Sequence, residues 1–403
     1  MAITRLILVI MIAVGASYEV AAQGRYSVSV APDAWYHTID GARLGIRLRG
    51  QMAGTFGDGP HRLDTGIWLG SKLPKDPVSY YVSLTEPIPA FSDFGSEASV
   101  EGYSSIRDGH HMHGFVASKR WQRGFNEREF SHIRISGNYA QRYDTRYALI
   151  PGLWQSRPVY TVEPVFQVRK STEWLGDISQ TAHLTIGSYK RPDTDAFYQL
   201  ELDHQSRKPL GSGFVLGHRL FLGFSSTSTP IERRYRLSSG KANDDLVSGI
   251  TRSRGILPQS GIDDGWVHTA DGPNLRGYGR FEMKQAPDGI PITYASVGAL
   301  NLEMDFANPV TWLLSRVPVL GGVLNSRMYA FSDHGTAFDS DAYDMVSNAG
   351  LGFSVGLNIP DYLGRSRTLS LRYDVPAWIS DPGPDSSPWK YRSVFGIWSV
   401  INI

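Results

Sequence analysis

The chain has 403 residues, a formal net charge of +1 and only 20% charged residues. That balance offers no basic footprint for nucleic acid, and the length suits either two ordinary domains or one large closed sheet. Cysteine is absent while aromatics reach 12%, with 20 Tyr and 10 Trp, which suits an exported protein without disulfides better than a cytosolic enzyme.

At the N-terminus Arg5 precedes the apolar run Leu6–Ala16, and small residues follow through Ala22. The run has the length of a secretory h-region and is shorter than the roughly 20 residues a spanning helix needs. Residues 1–22 therefore read as a signal peptide, with a membrane anchor as the alternative. No later stretch is apolar enough for a transmembrane helix, so the mature chain is expected to be exported and either dissolved or embedded by strands.

From there the pattern has period two. Leu44, Ile46 and Leu48 oppose Arg43, Arg47 and Arg49; Ile133, Ile135 and Tyr139 oppose Arg134, Ser136 and Asn138. Tyr198, Leu200 and Leu202 oppose Gln199, Glu201 and Asp203; Leu300, Leu302, Met304 and Phe306 oppose Ala299, Asn301, Glu303 and Asp305; Leu369, Leu371, Tyr373 and Val375 oppose Thr368, Ser370, Arg372 and Asp374. Successive strand side chains point to opposite faces, so each segment has an apolar and a polar side. A soluble sandwich would alternate too. The charge of the polar faces, segments of about ten residues, and aromatics near segment ends (Trp35, Tyr36, Tyr80, Tyr81, Trp121, Trp154, Trp389, Tyr391) favour an antiparallel transmembrane β-barrel. About eleven strand candidates precede Asn274–Gly279 and about five follow it, an even total of about sixteen, as a closed bacterial barrel requires. Residues 238–290, rich in Gly, Asp, Ser and Asn, read as one long extracellular loop.

The C-terminal portion, residues 230–403, resembles the BamA-type barrel superfamily, also called the bacterial surface antigen family, which includes insertases and two-partner secretion transporters. The residues that carry the likeness are Arg276, Gly277 and Tyr278 at the loop tip, Glu303 on the next strand, and Phe331, Asp333 and Gly335 at alternate positions two strands on. The stretches NAGLGFSVGLNIP, LSLRYDVPAW and YRSVFGIWSV fit as well. The opening WYHTIDGARLGIRLRG, LRGYG and DVPAW are also similar to barrels fused behind aminopeptidase-like domains. The resemblance implies a bacterial outer-membrane barrel, residues 23–403, whose long sixth outer loop folds into the lumen. It implies a role in protein translocation or insertion, through movement of that loop and opening of the seam between first and last strands.

Two features depart from the family. The sequence between leader and first strand candidate is too short for POTRA modules, so the chain reads as a barrel lacking them. Trp398 stands where a glycine is expected and the chain ends in Ile403, so the closing strand is expected to pair differently.

Period-two parity turns Glu303 inward, and Asp333 shares a face with Asn325, Arg327 and Tyr329. An inward carboxylate in a dry lumen needs a partner. A guanidinium on an infolded loop tip supplies one, because its planar fork bonds two oxygens or bridges two acids. Arg276 is therefore expected to pair with Asp333, with Glu303 nearby, as a lumenal lock; the alternative is a solvated arginine in an ordinary turn. Other chemistry is weaker. His111 and His113 share a strand face but lack a third ligand, and Asp333 and His334 point apart. Asp263 and Asp264 read as solvated loop acids, and Pro309–Leu324 as a periplasmic turn or short interfacial element. There is no HExxH and no GxSxG. No enzyme activity, metal or cofactor is expected. The expected partners are the outer-membrane lipid bilayer and a protein client or periplasmic partner. A porin-like passive channel and a membrane anchor for a separate partner are the other readings.

Overall fold

The computed structural model describes residues 18–21, 26–37, 41–52, 62–72, 77–93, 95–107, 109–124, 126, 128–144, 155–190, 196–247, 267–269, 271–279, 292–310, 316, 323–339, 345–360, 366–383 and 386–401. Leu6–Ala16, Trp154, Asp263, Asp264 and most of Pro309–Leu324 lie outside them.

Almost every described residue outside turns is in a strand. In chain order these are β1 (Tyr18–Ala21), β2 (Tyr26–His37), β3 (Gly41–Met52), β4 (Arg62–Gly70), β5 (Val78–Pro87), β6 (Ser96–Arg107), β7 (His110–Gln122), β8 (Phe130–Arg142), β9 (Val159–Thr172) and β10 (Gly176–Tyr189). They continue with β11 (Phe197–Gly211), β12 (Phe214–Ser225), β13 (Val267–His268), β14 (Ser296–Phe306), β15 (Leu324–Ala337), β16 (Val346–Pro360), β17 (Ser366–Ile379) and β18 (Val394–Ile397). A short helix, α1 (Ala242–Val247), lies between β12 and β13, and short 3-10 turns stand at Pro89–Phe91 and Ile231–Arg233.

The chain divides into two compact units. Met1–Val168, His183–Tyr198 and Val247–Gln259 form the first; Arg169–Ala182, Gln199–Leu246 and Ser260–Ile403 form the second. In the first, β1 to β8 pair successively and antiparallel. In the second, β11, β12, β14, β15, β16, β17 and β18 do the same.

Among the described residues thirteen strands (β1–β13) precede the loop tip and five (β14–β18) follow it; without β1, which falls in the stretch read as leader, and the two-residue β13, the numbers are eleven and five. This agrees with the sequence count. Two differences are informative. β2 begins at Tyr26, earlier than Trp35 and Tyr36 at the opening read from the sequence; Ala31, Pro32 and Asp33 interrupt the alternation that would have revealed its first half. β1, inside the stretch read as leader, pairs with β2.

The alternation is realised in burial. Leu44, Ile46, Ile133, Ile135, Tyr198, Leu202 and Leu371 are exposed large hydrophobics, while Arg43, Ser136, Gln199, Asn301, Glu303, Asp305, Arg372 and Asp374 are buried. This inverts the soluble arrangement, in which apolar residues are inside. A face with its apolar side chains outward suits hydrocarbon, where each charge would cost a few kcal/mol.

The β18 end of the second unit's sheet departs from regularity. β18 pairs with β17 over only Val394–Ile397, and its Phe395 and Gly396 also pair, in parallel, with Val267 and His268 of β13. Trp398 then takes φ +62, the left-handed region that favours glycine. Its N–H donates to Ser370 O at 2.6 Å. Beyond it the chain turns, and Val400 and Ile401 are buried. Ile401 packs where a Cβ on Gly217 of β12 would lie 3.1 Å from its Cδ1. Trp398 thus stands where the chain leaves β18. Left-handed backbone costs a non-glycine residue roughly 1 kcal/mol. Trp398→Gly is therefore expected to fold with an unchanged or higher heat-modified gel transition, whereas Trp398→Val lowers it.

Candidate functional site

Between β12 and β14, the described residues 226–246, 271–279 and 292–295 lie against the polar face of the second unit's strands. The first and last of these segments pair through Tyr235 and Tyr294, each donating its backbone N–H to the other's carbonyl, at 3.0 and 2.9 Å. Leu275 N–H donates to Leu237 O at 3.0 Å, and Tyr278 N–H to Leu275 O at 3.1 Å, closing a tight turn around Arg276. An apolar cluster beds this turn: Phe221, Tyr235, Leu237, Leu275, Tyr278, Tyr294, Val297, Ala299, Ala337, Val346 and Ile379.

Arg276 is 0% exposed. Its backbone N–H and Nε donate to Asp333 Oδ2, both at 3.0 Å, and Nη2 donates to Asp333 Oδ1 at 2.7 Å. Nη1 donates to Glu303 Oε1 at 2.9 Å and lies 3.9 Å from Asp374 Oδ1. The guanidinium also lies 3.8 Å over the Phe331 ring. Burial opposes the charge, but Asp333, Glu303 and Asp374 outweigh it and raise the Arg276 pKa well above the usual arginine value.

Each position singled out in the sequence thus has a contact. β15 turns Tyr329, Phe331, Asp333 and Gly335 to one face; Phe331 supports the flat side of the guanidinium and Asp333 takes its fork. At Gly335 a Cβ would lie 2.8 Å from Leu275 Cδ1, so the missing side chain makes room for the loop. At Gly277 a Cβ would lie 2.5 Å from Ile379 Cγ2, so the loop backbone lies close against the wall. Tyr278 Oη donates to Ser347 O at 3.0 Å, lies 3.1 Å from Ser380 Oγ and accepts from Asp381 N–H at 3.2 Å. It ties the tip to the ends of β16 and β17. His334 turns the other way and contacts Ser332 Oγ at 3.0 Å and Ser347 Oγ at 2.9 Å.

A second layer surrounds the arginine. Arg327 Nη2 donates to Glu303 Oε2 at 2.8 Å and to Asp305 Oδ1 at 2.7 Å. Arg207 also pairs with Asp305. Arg372 pairs with Asp374 and donates to Asn274 Oδ1 at 3.1 Å; Tyr329 Oη donates to Asp374 Oδ1 at 2.6 Å. Arg207, Arg276, Arg327 and Arg372 balance Glu303, Asp305, Asp333 and Asp374. Matching four cations with four anions is what lets so many charges leave water, since an unpaired buried ion costs several kcal/mol. Sequence reasoning did not assign Arg372, Asp374, Asn274 or Asn301 to the site. Parity had placed Arg372, Asp374 and Asn301 on the polar face; what was missing was that β17 lies close enough to share Arg276.

His111 and His113 lie against each other and against neighbouring strands. His113 Nε2 lies 3.3 Å from His111 Nδ1, and the outer ring nitrogens meet Ser104 Oγ at 2.7 Å and Gln141 Oε1 at 3.1 Å. Among the described residues no group of three or more metal-type side chains converges.

No protein-family model matches the chain, and no curated protein matches it. Among solved structures it is similar to BamA from Haemophilus ducreyi lacking POTRA domains 1–3, at 12% identity and TM-score 0.47, over 95% of this chain and 75% of that one. It is similar to CdiB from Escherichia coli at 11% identity and TM-score 0.44, over 93% of this chain and 63% of that one. It is also similar to a bacterial polysaccharide outer membrane secretin at 7% identity and TM-score 0.39, over 93% of this chain and 96% of that one.

Proposed function

We propose that this chain is an outer-membrane β-barrel of the BamA type, held in the bilayer by its strands. In this reading it acts in protein translocation or insertion, either alone or as the membrane part of a larger assembly. Residues 1–22 serve as a cleaved export signal, and 238–290 form the long outer loop, folded into the lumen. The observation that carries the reading is Arg276, fully buried between Asp333 and Glu303 on the face opposite the exposed apolar side chains. A side chain held by that many directed bonds fixes the loop in one place. Freeing it would require several ion pairs to be broken together, so the seated loop narrows the path through the barrel until something compensates the acids.

The purified protein in planar bilayers tests this. The unaltered chain is expected to show small, intermittent conductance, and Asp333→Ala a larger and longer-lived one. A large, steady pore from the unaltered chain would instead establish the porin-like channel. A protein that stays dissolved after export without detergent would end both readings.

A further inference from the structure

Asn348 on β16 stands directly opposite Asp333 on β15, and Asn301 on β14 stands opposite Asp333 on its other side. The three form a row, Asn–Asp–Asn, across neighbouring strands on the polar face. The two amides are used unequally. Asn301 Nδ2 donates to Asp333 Oδ1 at 3.0 Å and reaches the Pro273 and Asn274 carbonyls at 3.3 Å. Asn348 is 0% exposed, and neither its Oδ1 nor its Nδ2 has a hydrogen-bond partner among the described residues.

The reason lies in Asp333. A carboxylate offers about four acceptor positions. Arg276 fills three of them, through its backbone N–H, Nε and Nη2, and Asn301 fills one. Nothing remains for Asn348, and Gly277 of the loop covers it, since a Cβ there would lie 3.1 Å from Asn348 Cβ. A buried amide left without partners opposes the state that contains it.

We infer that Asn348 is the partner Asp333 takes when the loop tip withdraws, so that the Asn301–Asp333–Asn348 row is a second resting state for the carboxylate. The inference rests on the lock proposed above and concerns its release. With Arg276 gone, Asp333 keeps one donor of four. Residues opposite on adjacent strands have Cβ atoms about 4.5–5.5 Å apart, within reach of the Asn348 amide after a side-chain rotation. The idle amide thus disfavours the seated loop and favours the withdrawn one, and Asn348 is a positioning residue acting through Asp333.

The chain contains no cysteine, so a single introduced thiol reports loop exposure. Leu275→Cys places it beneath the tip, where Leu275 is 0% exposed. The full-length protein in liposomes is treated with a charged maleimide and the rate of labelling followed, with the parent's heat-modified gel shift as the fold control. Asp333→Asn in this background is expected to speed labelling about tenfold or more, and Asn348→Ala and Asn348→Leu are each expected to slow it about tenfold. A merely structural role would give the opposite sign, because truncating a buried packing residue loosens its surroundings. Unchanged or faster labelling in both Asn348 variants, with Asp333→Asn still faster, overturns the inference and leaves the lock standing. No effect of Asp333→Asn removes the lock and the inference together. Failure of both Asn348 variants to fold also overturns it, since an idle amide is dispensable.

Discussion

Arg276→Ala is expected to lower the heat-modified gel transition sharply, at a cost of about 3–5 kcal/mol, the usual penalty for breaking a buried pair from one side. Asp333 then keeps only Asn301 as a donor, and Glu303 leans on Arg327 alone. Arg276→Lys keeps the charge but loses the planar fork, so it is expected to recover only part of the loss. Combining Arg276→Ala with Asp333→Ala is expected to cost less than the sum of the two, because removing both partners leaves fewer uncompensated groups. Strict additivity would mean that the two residues do not act through one another. An unchanged transition in both single variants would mean that the buried contacts contribute nothing to stability.

Gly277→Ala is the second large expected effect, and it adds atoms rather than removing them. The new Cβ would meet Ile379 Cγ2 at 2.5 Å and Asn348 Cβ at 3.1 Å. Ile379 is 0% exposed and packed in the apolar cluster, so it has little room to move. Overpacking of this kind costs about 1–3 kcal/mol, and here the strain falls between tip and wall, so the tip is expected to lift and conductance to rise. Ile379→Ala in the same chain makes room and is expected to restore part of the transition. Gly335→Ala is expected to be milder, because its new atom meets the Leu275 Cδ atoms at 2.8 and 3.0 Å, which turn about χ2, whereas Ile379 Cγ2 is held by the stiff χ1 of a β-branched residue. A larger effect at Gly335 than at Gly277 would contradict the seating of the tip described above.

The two variants probe the same contact from opposite sides. Arg276→Ala removes the charge that three acids surround, while Gly277→Ala keeps every charge and changes only the fit. Both are expected to free the loop, so agreement between them separates displacement of the tip from a purely electrostatic effect on the pore.

Much of the site was legible before any coordinates. Glu303 and Asp333 could be assigned to the polar face because strand side chains alternate without exception unless a bulge intervenes, and β14 and β15 pair without one. Arg276 stood out as a guanidinium in a glycine turn facing those acids. Asp374 was placed on the right face, but its distance from Arg276 was beyond reach, because parity assigns a side and says nothing about what lies across from it. The register shift between Ala349 and Gly350 on β16 was likewise invisible. It falls beside Asn348, which pairs in register with Ile379. Asn348 itself carried no signal, since an asparagine with partners and one without read identically in a sequence.

What the sequence determined by itself was the antiparallel strand class, the sidedness of each strand and the residues of the loop tip, because all three follow from local rules of period and turn chemistry. What only the tertiary structure decided was the company each charge keeps. Arg372 and Asp374 join the network, Arg327 bridges Glu303 and Asp305, Asn348 is left over, and β18 takes a parallel partner from the loop. Those outcomes depend on which strands lie side by side and how far the loop descends. Packing sets both across long sequence separations, and no local pattern records them.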